Sequence, residues 1–326
     1  MLTPLSPTPE LISALQNHET ILVLGHKNPD GDSLGSQLAL ASMLRRLGKT
    51  VHLLSPGPFE RHEIQHLGQQ FSDQVPELDH PAGVLVVVVD CSTIDRIGHF
   101  ADQLDDFTVA VIDHHASGAP FGDITWINTR AFSVTFMIHQ LYAALDMTPT
   151  EEEAQLLFFG LVTDTGYFRH VLERRGEVFL TAAALVEAGA SPKTAYDQMY
   201  GSRPFASKKL LGLLLSRCES YYDGKLLVTW ETRAEHETFG EAIRDSESLY
   251  AQLLGTQGCE AVLYIREDQE KGCTVGLRSK DYIDVSRIAG SFSGGGHRRA
   301  AGFSYHGRRE DIQQELIALF EDLVKG

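Results

Sequence analysis

The sequence predicts an α/β protein whose N-terminal part contains a parallel β-sheet. Residues 83–89 (GVLVVVV) are apolar throughout, which is typical of a central parallel strand that is buried on both faces. Residues 21–24 and 109–112 are shorter apolar runs that end abruptly at polar residues, as buried strands do at the edge of a sheet. Because segments with helical spacing follow these strands, we expect helices on both faces of the sheet.

The other elements of the N-terminal part follow from local signals. Pro29 and Gly31 mark a turn after the first strand, and Ser33 is the predicted N-cap of the leucine-rich helix that follows. Thr150 and Glu153 form a capping-box pattern at the start of a later helix. Residues 50–54 are predicted to form a further strand, and helices are predicted at 131–145, 151–161, 174–189, 192–200 and 205–219.

From Tyr221 onward the pattern indicates a second, smaller α/β domain. Strands are predicted at 226–230, 259–265 and 273–278, and helices at 246–255 and 310–324. A length of 326 residues suits two domains, at about 100–200 residues each. We predict an N-terminal domain at 1–190, a helical linker at 191–220 and a C-terminal domain at 221–326.

The composition argues against several classes of protein. A formal net charge of −16 disfavours a protein that binds long duplexes, because such binding depends on neutralising many phosphates. The four cysteines lack zinc-site spacing, so we expect them to be reduced, in a cytoplasmic protein. No apolar run reaches the roughly 20 residues of a membrane-spanning helix, and the N-terminus lacks a signal-peptide pattern. We therefore expect no membrane partner.

Histidine and aspartate side chains follow four of the predicted elements. Each has an ordinary explanation as a turn former, a helix cap or a solvated residue. If they converge, however, their carboxylates would repel one another unless cations neutralised them. Imidazole with carboxylate suits manganese, iron or zinc, and two divalent cations about 4 Å apart promote displacement at phosphorus. The candidate residues are His26, Asp30, Asp32, Asp90, Asp113, His114, His115 and Asp164.

Four ordered motifs and one glycine-rich loop carry a resemblance to a known family. The motifs HKNPDGDSLGS, VDC, DHH and DTG resemble the DHH phosphoesterase superfamily, and the later GGGH loop resembles its C-terminal DHHA1 domain. At this length the chain is most similar to the NrnA-like family of bifunctional oligoribonucleases and 3′-phosphoadenosine 5′-phosphate phosphatases. The resemblance implies a catalytic, metal-binding DHH domain at 1–190 and a substrate-binding DHHA1 domain at 221–326.

The resemblance also implies a role for each residue of the metal site. It implies two Mn²⁺ ions per active site, although other divalent metals could replace manganese. Asp90 would bridge the two ions, Asp113 would orient a histidine ligand, and His115 would face the substrate phosphate as a donor or general acid. The remaining ligands would be His26 and Asp30 at one ion, and Asp32, His114 and Asp164 at the other.

The C-terminal domain is expected to hold the substrate. Arg278 and Ser279 match the family's phosphate-binding pair, and a guanidinium group suits a terminal phosphate. Gly294, Gly295 and Gly296 would let the backbone approach a phosphate closely, with His297 as a further donor. No role is carried over for the two arginines that follow His297.

The function that the resemblance implies is a manganese-dependent hydrolase. Its substrates would be very short RNA, or short DNA, cut to 5′-mononucleotides, and the nucleotide bisphosphate 3′-phosphoadenosine 5′-phosphate. A phosphodiesterase for linear or cyclic dinucleotides and an enzyme like inorganic pyrophosphatase would use the same metal site and stay open as alternatives. A nucleotide or metal sensor without catalysis is the non-enzyme alternative. The resemblance further suggests a homodimer.

Overall fold

The structure of the protein, a computed structural model, describes residues 6–78, 80–116, 118–119, 121–201, 203–240, 244–269 and 272–324. The chain divides into two compact units, Met1–Gly201 and Ser202–Gly326. The division falls inside residues 191–220, the range predicted to connect the domains. In the part of the chain that the structure describes, no helix combines the length and the apolar character needed to cross a membrane.

The N-terminal unit is built on a five-stranded parallel sheet, which confirms the predicted fold class. The strands are β1 (Thr20–Leu24), β2 (Thr50–Leu54), β3 (Val84–Val89), β4 (Thr108–Asp113) and β5 (Ile124–Ile127). Their order in the sheet is β2-β1-β3-β4-β5, and every neighbouring pair is parallel. The edge strand β5 is missing from the prediction, because four residues give too short a pattern to recognise.

Apolar cores lie on both faces of this sheet. The helices of the unit are α1 (Pro9–Asn17), α2 (Gly31–Arg46), α3 (Val134–Ala144), α4 (Glu151–Asp164), α5 (Glu177–Glu187) and α6 (Pro192–Tyr200). Ile21 and Val23 pack into one core with residues of these helices. Leu22 belongs to the other core, where Ile97 and Phe100 of the 3₁₀ segment Ile94–Gln103 cover the sheet. The alternation along β1 is the period of two that a strand between two cores requires.

Local capping chemistry decides where the helices begin. The predicted N-cap Ser33 is wrong, because α2 begins at Gly31 and its cap is Asp30. One oxygen of the Asp30 carboxylate accepts hydrogen bonds from the backbone N–H groups of Asp32 and Ser33, both at 3.1 Å. The capping box of Thr150 and Glu153 is confirmed.

The C-terminal unit contains a six-stranded mixed sheet and a separate core. Its elements are α7 (Phe205–Ser216), β6 (Glu219–Tyr221), β7 (Leu226–Glu231), α8 (Arg233–Phe239), α9 (Ser246–Leu254), β8 (Ala261–Gln269), β9 (Gly272–Ser279), α10 (Val285–Ser291), β10 (Gly295–His297), β11 (Ala300–Tyr305) and α11 (Arg309–Leu323). The strand order is β10-β11-β9-β8-β7-β6. Only β7 and β8 pair in parallel. The prediction lacks β6, β10 and β11, since glycine and alanine have low strand propensity and β6 is very short.

Candidate metal centre

The parallel sheet brings the predicted site residues to one edge. Asp90 follows the last residue of β3, and Asp113 is the last residue of β4. Val89 of β3 is in register with Ile112 of β4, so the carboxyl ends of the two strands are adjacent. Because β1 also runs parallel to β3, the loop that carries the motif at residues 26–33 leaves the sheet at the same edge.

Asp90 lies at the centre of the site. Its side chain is buried, with a relative exposure of 4%, and its backbone adopts the left-handed conformation, with φ of 57°. This conformation is uncommon for a non-glycine residue, and aspartate adopts it more readily than most. The Asp90 carboxylate lies 3.4 Å from His26 Nε2 and 3.7 Å from both His114 Nε2 and His115 Nδ1. Burial raises the pKa of Asp90 well above its usual range, and the charges of Asp30 and Asp32 add to this effect.

Two histidines present one ring nitrogen each to the centre of the site. His26 Nδ1 lies 2.8 Å from the carbonyl oxygen of Lys27, and His114 Nδ1 lies 3.5 Å from that of Ala131. A hydrogen bond at Nδ1 fixes the tautomer in which Nε2 is available as a metal ligand. His26 Nε2 is buried and has no hydrogen-bond partner among the described residues. Burial also lowers the pKa of His26, so the neutral ring that a metal requires is favoured.

Asp32 connects the site to the start of α3. Its side chain is buried, and its two oxygens accept hydrogen bonds from the backbone N–H of Val134 at 2.6 Å and of Thr135 at 2.8 Å. The Thr135 hydroxyl donates a third bond, at 2.7 Å. Burial raises the pKa of Asp32 nevertheless. The sequence analysis missed Thr135, because no local pattern links a helix start to an aspartate so distant in the chain.

Asp164 completes this side of the site at the end of α4. The distance from Asp164 Oδ2 to His114 Nε2 is 3.4 Å. Burial, together with the Asp32 charge, raises the pKa of Asp164 to about 7. Burial opposes protonation of His114, but the carboxylates of Asp32, Asp164 and Asp90 outweigh it and raise the pKa of His114.

Close packing of α2 against α4 sets the distance between Asp32 and Asp164. A Cβ atom at Gly35 of α2 would lie 2.7 Å from the carbonyl oxygen of Leu156 in α4. A Cβ atom at Gly160 of α4 would lie 3.1 Å from Asp32 Cα in α2 and 2.3 Å from Thr135 Cγ2 in α3. These distances are too short for a side chain without a shift of its neighbours, so glycine fits best at the two positions. The two helices can therefore approach closely enough to bring their carboxylates to the same site.

Among the residues that the structure describes, three groups of side chains could hold a metal ion, and they share members. In each group, one donor atom of every residue lies within 4.8 Å of the others. The groups are His26, Asp30 and Asp90; Asp32, His114 and Asp164; and Asp90, His114 and His115. The structure thus brings together all six predicted ligands. The donor set suits divalent cations, because a buried imidazole nitrogen has no partner and buried carboxylates face one another.

The hydrogen-bond partner of Asp113 differs from the expected one. Its carboxylate lies 2.7 Å from Nδ1 of His115, whereas the expected partner was a histidine on the metal. Burial alone would raise the pKa of Asp113, but the hydrogen bond from His115 outweighs this and lowers it. Asp113 therefore remains ionised and holds the His115 ring in a fixed orientation.

In the C-terminal unit, strand register places two predicted substrate ligands in one row. His297 of β10 is opposite Ala300 of β11, and Ala300 is opposite Arg278 of β9. Side chains directly opposite across a sheet lie on the same face, so Arg278 and His297 flank the small side chain of Ala300. The guanidinium carbon of Arg278 lies 4.4 Å from the centre of the Tyr250 ring, which is a cation–π contact that orients the arginine. The sequence analysis missed Tyr250, because a single tyrosine in a helix carries no signal.

The three glycines of the GGGH loop differ in which atoms a side chain would meet. A Cβ at Gly294 would lie 2.4 Å from the carbonyl oxygen of Gly302, and one at Gly296 would lie 2.5 Å from that of Ala300. These two glycines thus permit close approach of β11, and their contact with a phosphate stays a prediction. A Cβ at Gly295 would have no atom of the described part of the chain within 4 Å. Gly295 is therefore the member of the loop whose open side could accept a ligand.

A buried carboxylate organises the segment that follows Arg278. The Glu260 carboxylate accepts hydrogen bonds from the backbone N–H groups of Asp281, Tyr282 and Ile283, at 2.8–3.2 Å. Ser279, a predicted phosphate ligand, is buried, and its hydroxyl donates to the Ile283 carbonyl at 2.7 Å. Ser279 stabilises the same segment in this structure, and its contact with phosphate stays a prediction.

The fold and the site define a class: two-unit α/β proteins with a candidate histidine–aspartate metal centre at the carboxyl end of a parallel sheet. Comparison with known families gives the particular family. Residues 20–161 match the DHH family, N-terminal domain, and residues 224–326 match the DHHA1 domain. The chain therefore contains a DHH domain and a DHHA1 domain, which confirms the resemblance seen in the sequence.

Individual relatives align over almost the whole chain. The chain is 29% identical to the bifunctional oligoribonuclease and PAP phosphatase NrnA of Thermus thermophilus, over 97% of this chain and 93% of that protein. It is 28% identical to the protein of the same name in Bacillus subtilis, over 97% and 98% of the two chains. The crystal structure of an exopolyphosphatase-related protein from Bacteroides fragilis shares the fold, with a TM-score of 0.83, 22% identity and 97% coverage of both chains.

Proposed function

We propose that the protein is a manganese-dependent phosphoesterase. Its proposed substrates are very short oligonucleotides, which it degrades to 5′-mononucleotides, and 3′-phosphoadenosine 5′-phosphate, from which it removes a phosphate. The observation that carries the proposal is the set of ligand groups joined by Asp90 and His114. The two relatives named NrnA support the substrate class, since each aligns with this chain over nearly its full length. The proposed location is the cytoplasm, as free cysteines indicate.

Six side chains would hold two Mn²⁺ ions. His26, Asp30 and Asp90 would hold one, while Asp32, Asp90, His114 and Asp164 would hold the other. When bound, two such ions activate water and stabilise charge on the attacking and leaving oxygens. Manganese is favoured over magnesium because two imidazoles belong to the proposed ligand set.

The protein supplies proton transfer and orientation. Because Nδ1 of His115 is held by Asp113, Nε2 is the ring atom that remains to donate a proton to the leaving oxygen. The ionised Asp113 holds the His115 ring in its orientation for that transfer. Arg278 binds a substrate phosphate through its guanidinium group, and Gly295 leaves room for that phosphate beside the backbone. A substrate with few phosphates requires few cationic side chains to bind it. This agrees with the net charge of −16.

A turnover assay tests the proposal. Purified protein is incubated with a dinucleotide, a pentanucleotide, a long oligomer and the bisphosphate, with Mn²⁺ or with chelator. We expect mononucleotides from the short oligomers and adenosine 5′-monophosphate from the bisphosphate, with manganese only. Tight binding of the dinucleotide without any product would contradict an enzyme and favour a nucleotide sensor. Preferential hydrolysis of pyrophosphate would indicate a pyrophosphatase, and preferential hydrolysis of a cyclic dinucleotide would indicate a cyclic-dinucleotide phosphodiesterase.

Removal of the Arg278 side chain is expected to weaken substrate binding. Arg278→Ala should raise KM for a dinucleotide by about 10- to 100-fold, because a hydrogen bond to a charged group contributes roughly 1.5–3 kcal/mol. The change in kcat should be much smaller, since Arg278 lies in the unit without the metal ligands. Steady-state kinetics measure both quantities. Arg298→Ala is the matched control, because Arg298 is an exposed arginine in the same unit. A fall in kcat with unchanged KM would refute this role.

Substitution of the loop glycines by alanine should affect substrate binding at Gly295 and stability at Gly294. Gly295→Ala is expected to fold normally and to raise KM, because the added methyl group points into open space where the phosphate would lie. Gly294→Ala should instead lower the melting temperature, because its methyl group would meet the Gly302 carbonyl oxygen and Phe303 Cβ, both at 2.4 Å. Thermal unfolding and KM measured on both variants check this division. Normal substrate binding by Gly295→Ala would show that no phosphate contacts the loop there.

A further inference from the structure

A strained turn lies directly beyond the candidate metal ligand Asp164. Gly166, Tyr167 and Phe168 have φ angles of 57°, 56° and 68° in succession. The left-handed conformation costs a non-glycine residue roughly 1–2 kcal/mol, and here two bulky aromatic residues adopt it consecutively. Such strain persists where surrounding contacts enforce it, and it concentrates at functional sites. The turn is therefore a feature that the rest of the structure maintains.

The turn directs the Tyr167 ring toward the aromatic face of α6. The Tyr167 hydroxyl donates to the Pro192 carbonyl at 2.7 Å, and its ring centre lies 5.6 Å from that of Tyr196. Tyr196 is in turn 5.0 Å from Tyr200, one helical turn further on. Tyr196 and Tyr200 are 52% and 43% exposed. The three rings form a continuous row, which we call the tyrosine track, and it begins three residues after Asp164.

A basic side chain borders the tyrosine track. Arg169 is exposed, follows the strained turn directly, and its charge acts on the Tyr200 hydroxyl. Partial burial and the Arg169 charge lower the pKa of His170, so that ring is mostly neutral at pH 7. The His170 ring packs on Gly166, where a Cβ would lie 2.6 Å from its Cδ2 and Nε2 atoms. The acid on the exposed face of α6, Asp197, is paired with Lys193. Glu63 is an unfavourable charge near Tyr200, at the far end of the track.

We propose that the tyrosine track binds the bases of substrate nucleotides that lie beyond the scissile bond. Bases stack on exposed aromatic rings without regard to sequence, and basic groups beside the rings contact the phosphates between them. Arg169 occupies that position, since it follows the strained turn in the chain and its charge acts on Tyr200. This inference rests on the proposed function and adds to it a length dependence: oligomers longer than a dinucleotide gain contacts that a dinucleotide and the bisphosphate lack.

Steady-state kinetics with two substrate lengths test the inference. The double variant Tyr196→Leu, Tyr200→Leu keeps apolar side chains on α6 but removes two rings. We expect its KM for a pentanucleotide to rise about tenfold or more, since stacking on one aromatic ring is worth a factor of this order. Its KM and kcat for a dinucleotide should stay at the values of the unchanged protein, which also shows that it folds. Phe205→Leu is the matched control, because Phe205 is an aromatic residue that is 76% exposed outside the track.

Three further outcomes separate the inference from the proposed function. If the unchanged protein hydrolyses both oligomers and the double variant does so with equal KM values, the tyrosine track is refuted while the proposed function stands. If the double variant alters only the sedimentation coefficient, the track is a protein–protein contact and the inference is likewise refuted. If the unchanged protein releases no mononucleotide from either oligomer, the proposed function fails, and the track fails with it.

Discussion

Replacement of Asp90 with asparagine is expected to reduce turnover of a dinucleotide by about a thousandfold or more. Asp90 belongs to two of the ligand groups, and its carboxylate lies within 3.4–3.7 Å of three histidine nitrogens. Loss of one shared charged ligand weakens both metal positions, and the charge stabilisation that the metals supply is worth several kcal/mol. Each 1.36 kcal/mol corresponds to a factor of ten in rate.

The same substitution should leave the fold intact. The raised pKa of Asp90 means that its ionised form destabilises the metal-free protein at neutral pH, so a neutral amide removes a repulsion. Asparagine also tolerates the left-handed backbone, where φ is 57°. We therefore expect a melting temperature without metal that equals or exceeds that of the unchanged protein.

Three measurements check this prediction. Kinetics give the loss of turnover, metal analysis after gel filtration gives the number of bound ions, and thermal unfolding tests the fold. Asp95→Asn is the matched control, because Asp95 is an exposed aspartate shortly after the same strand. Near-normal turnover by Asp90→Asn, with metal retained, would contradict the central position of Asp90. Unfolding of the metal-free variant would show that Asp90 has a structural role that we do not assign to it.

Removal of metal is expected to abolish turnover and to destabilise the N-terminal unit. Asp32 and Asp90 are buried, Asp164 lies beside them at the rim of the site, and desolvation together with their mutual charges raises the pKa of all three. Cations that neutralise them bind only the folded state, and a ligand at 100 times its Kd stabilises that state by about 2.7 kcal/mol. For a unit of this size, such a difference lowers the melting temperature by roughly 5–10 °C.

Thermal unfolding with chelator and with added Mn²⁺ measures this effect. The shift should vanish in Asp90→Asn, because the shared ligand is gone. Mn²⁺ should restore stability and turnover at lower concentrations than Mg²⁺, in keeping with the histidine ligands. Equal melting temperatures with and without metal, accompanied by unchanged turnover, would exclude a metal centre formed by these residues.

The hydrophobic pattern of the sequence was sufficient to predict much of the fold. Strands β1 to β4 and the helices α4 and α6 appear close to their predicted bounds, because a buried strand and an amphipathic helix leave strong periodic signals. The short or glycine-rich strands β5, β10 and β11 left none. Capping was less predictable, since Asp30 and Ser33 are both good N-caps and only the backbone conformation decides between them.

The residue types that follow each strand can be read from the chain alone, and they predict that imidazoles and carboxylates meet at the edge of a parallel sheet. Their hydrogen-bond partners follow from the folded arrangement. Asp113 contacts His115, Thr135 holds Asp32, and two glycines of the GGGH loop serve the approach of β11. The physical reason is that hydrophobic periodicity is local, whereas these contacts depend on how distant elements pack and on which side chains that packing leaves room for.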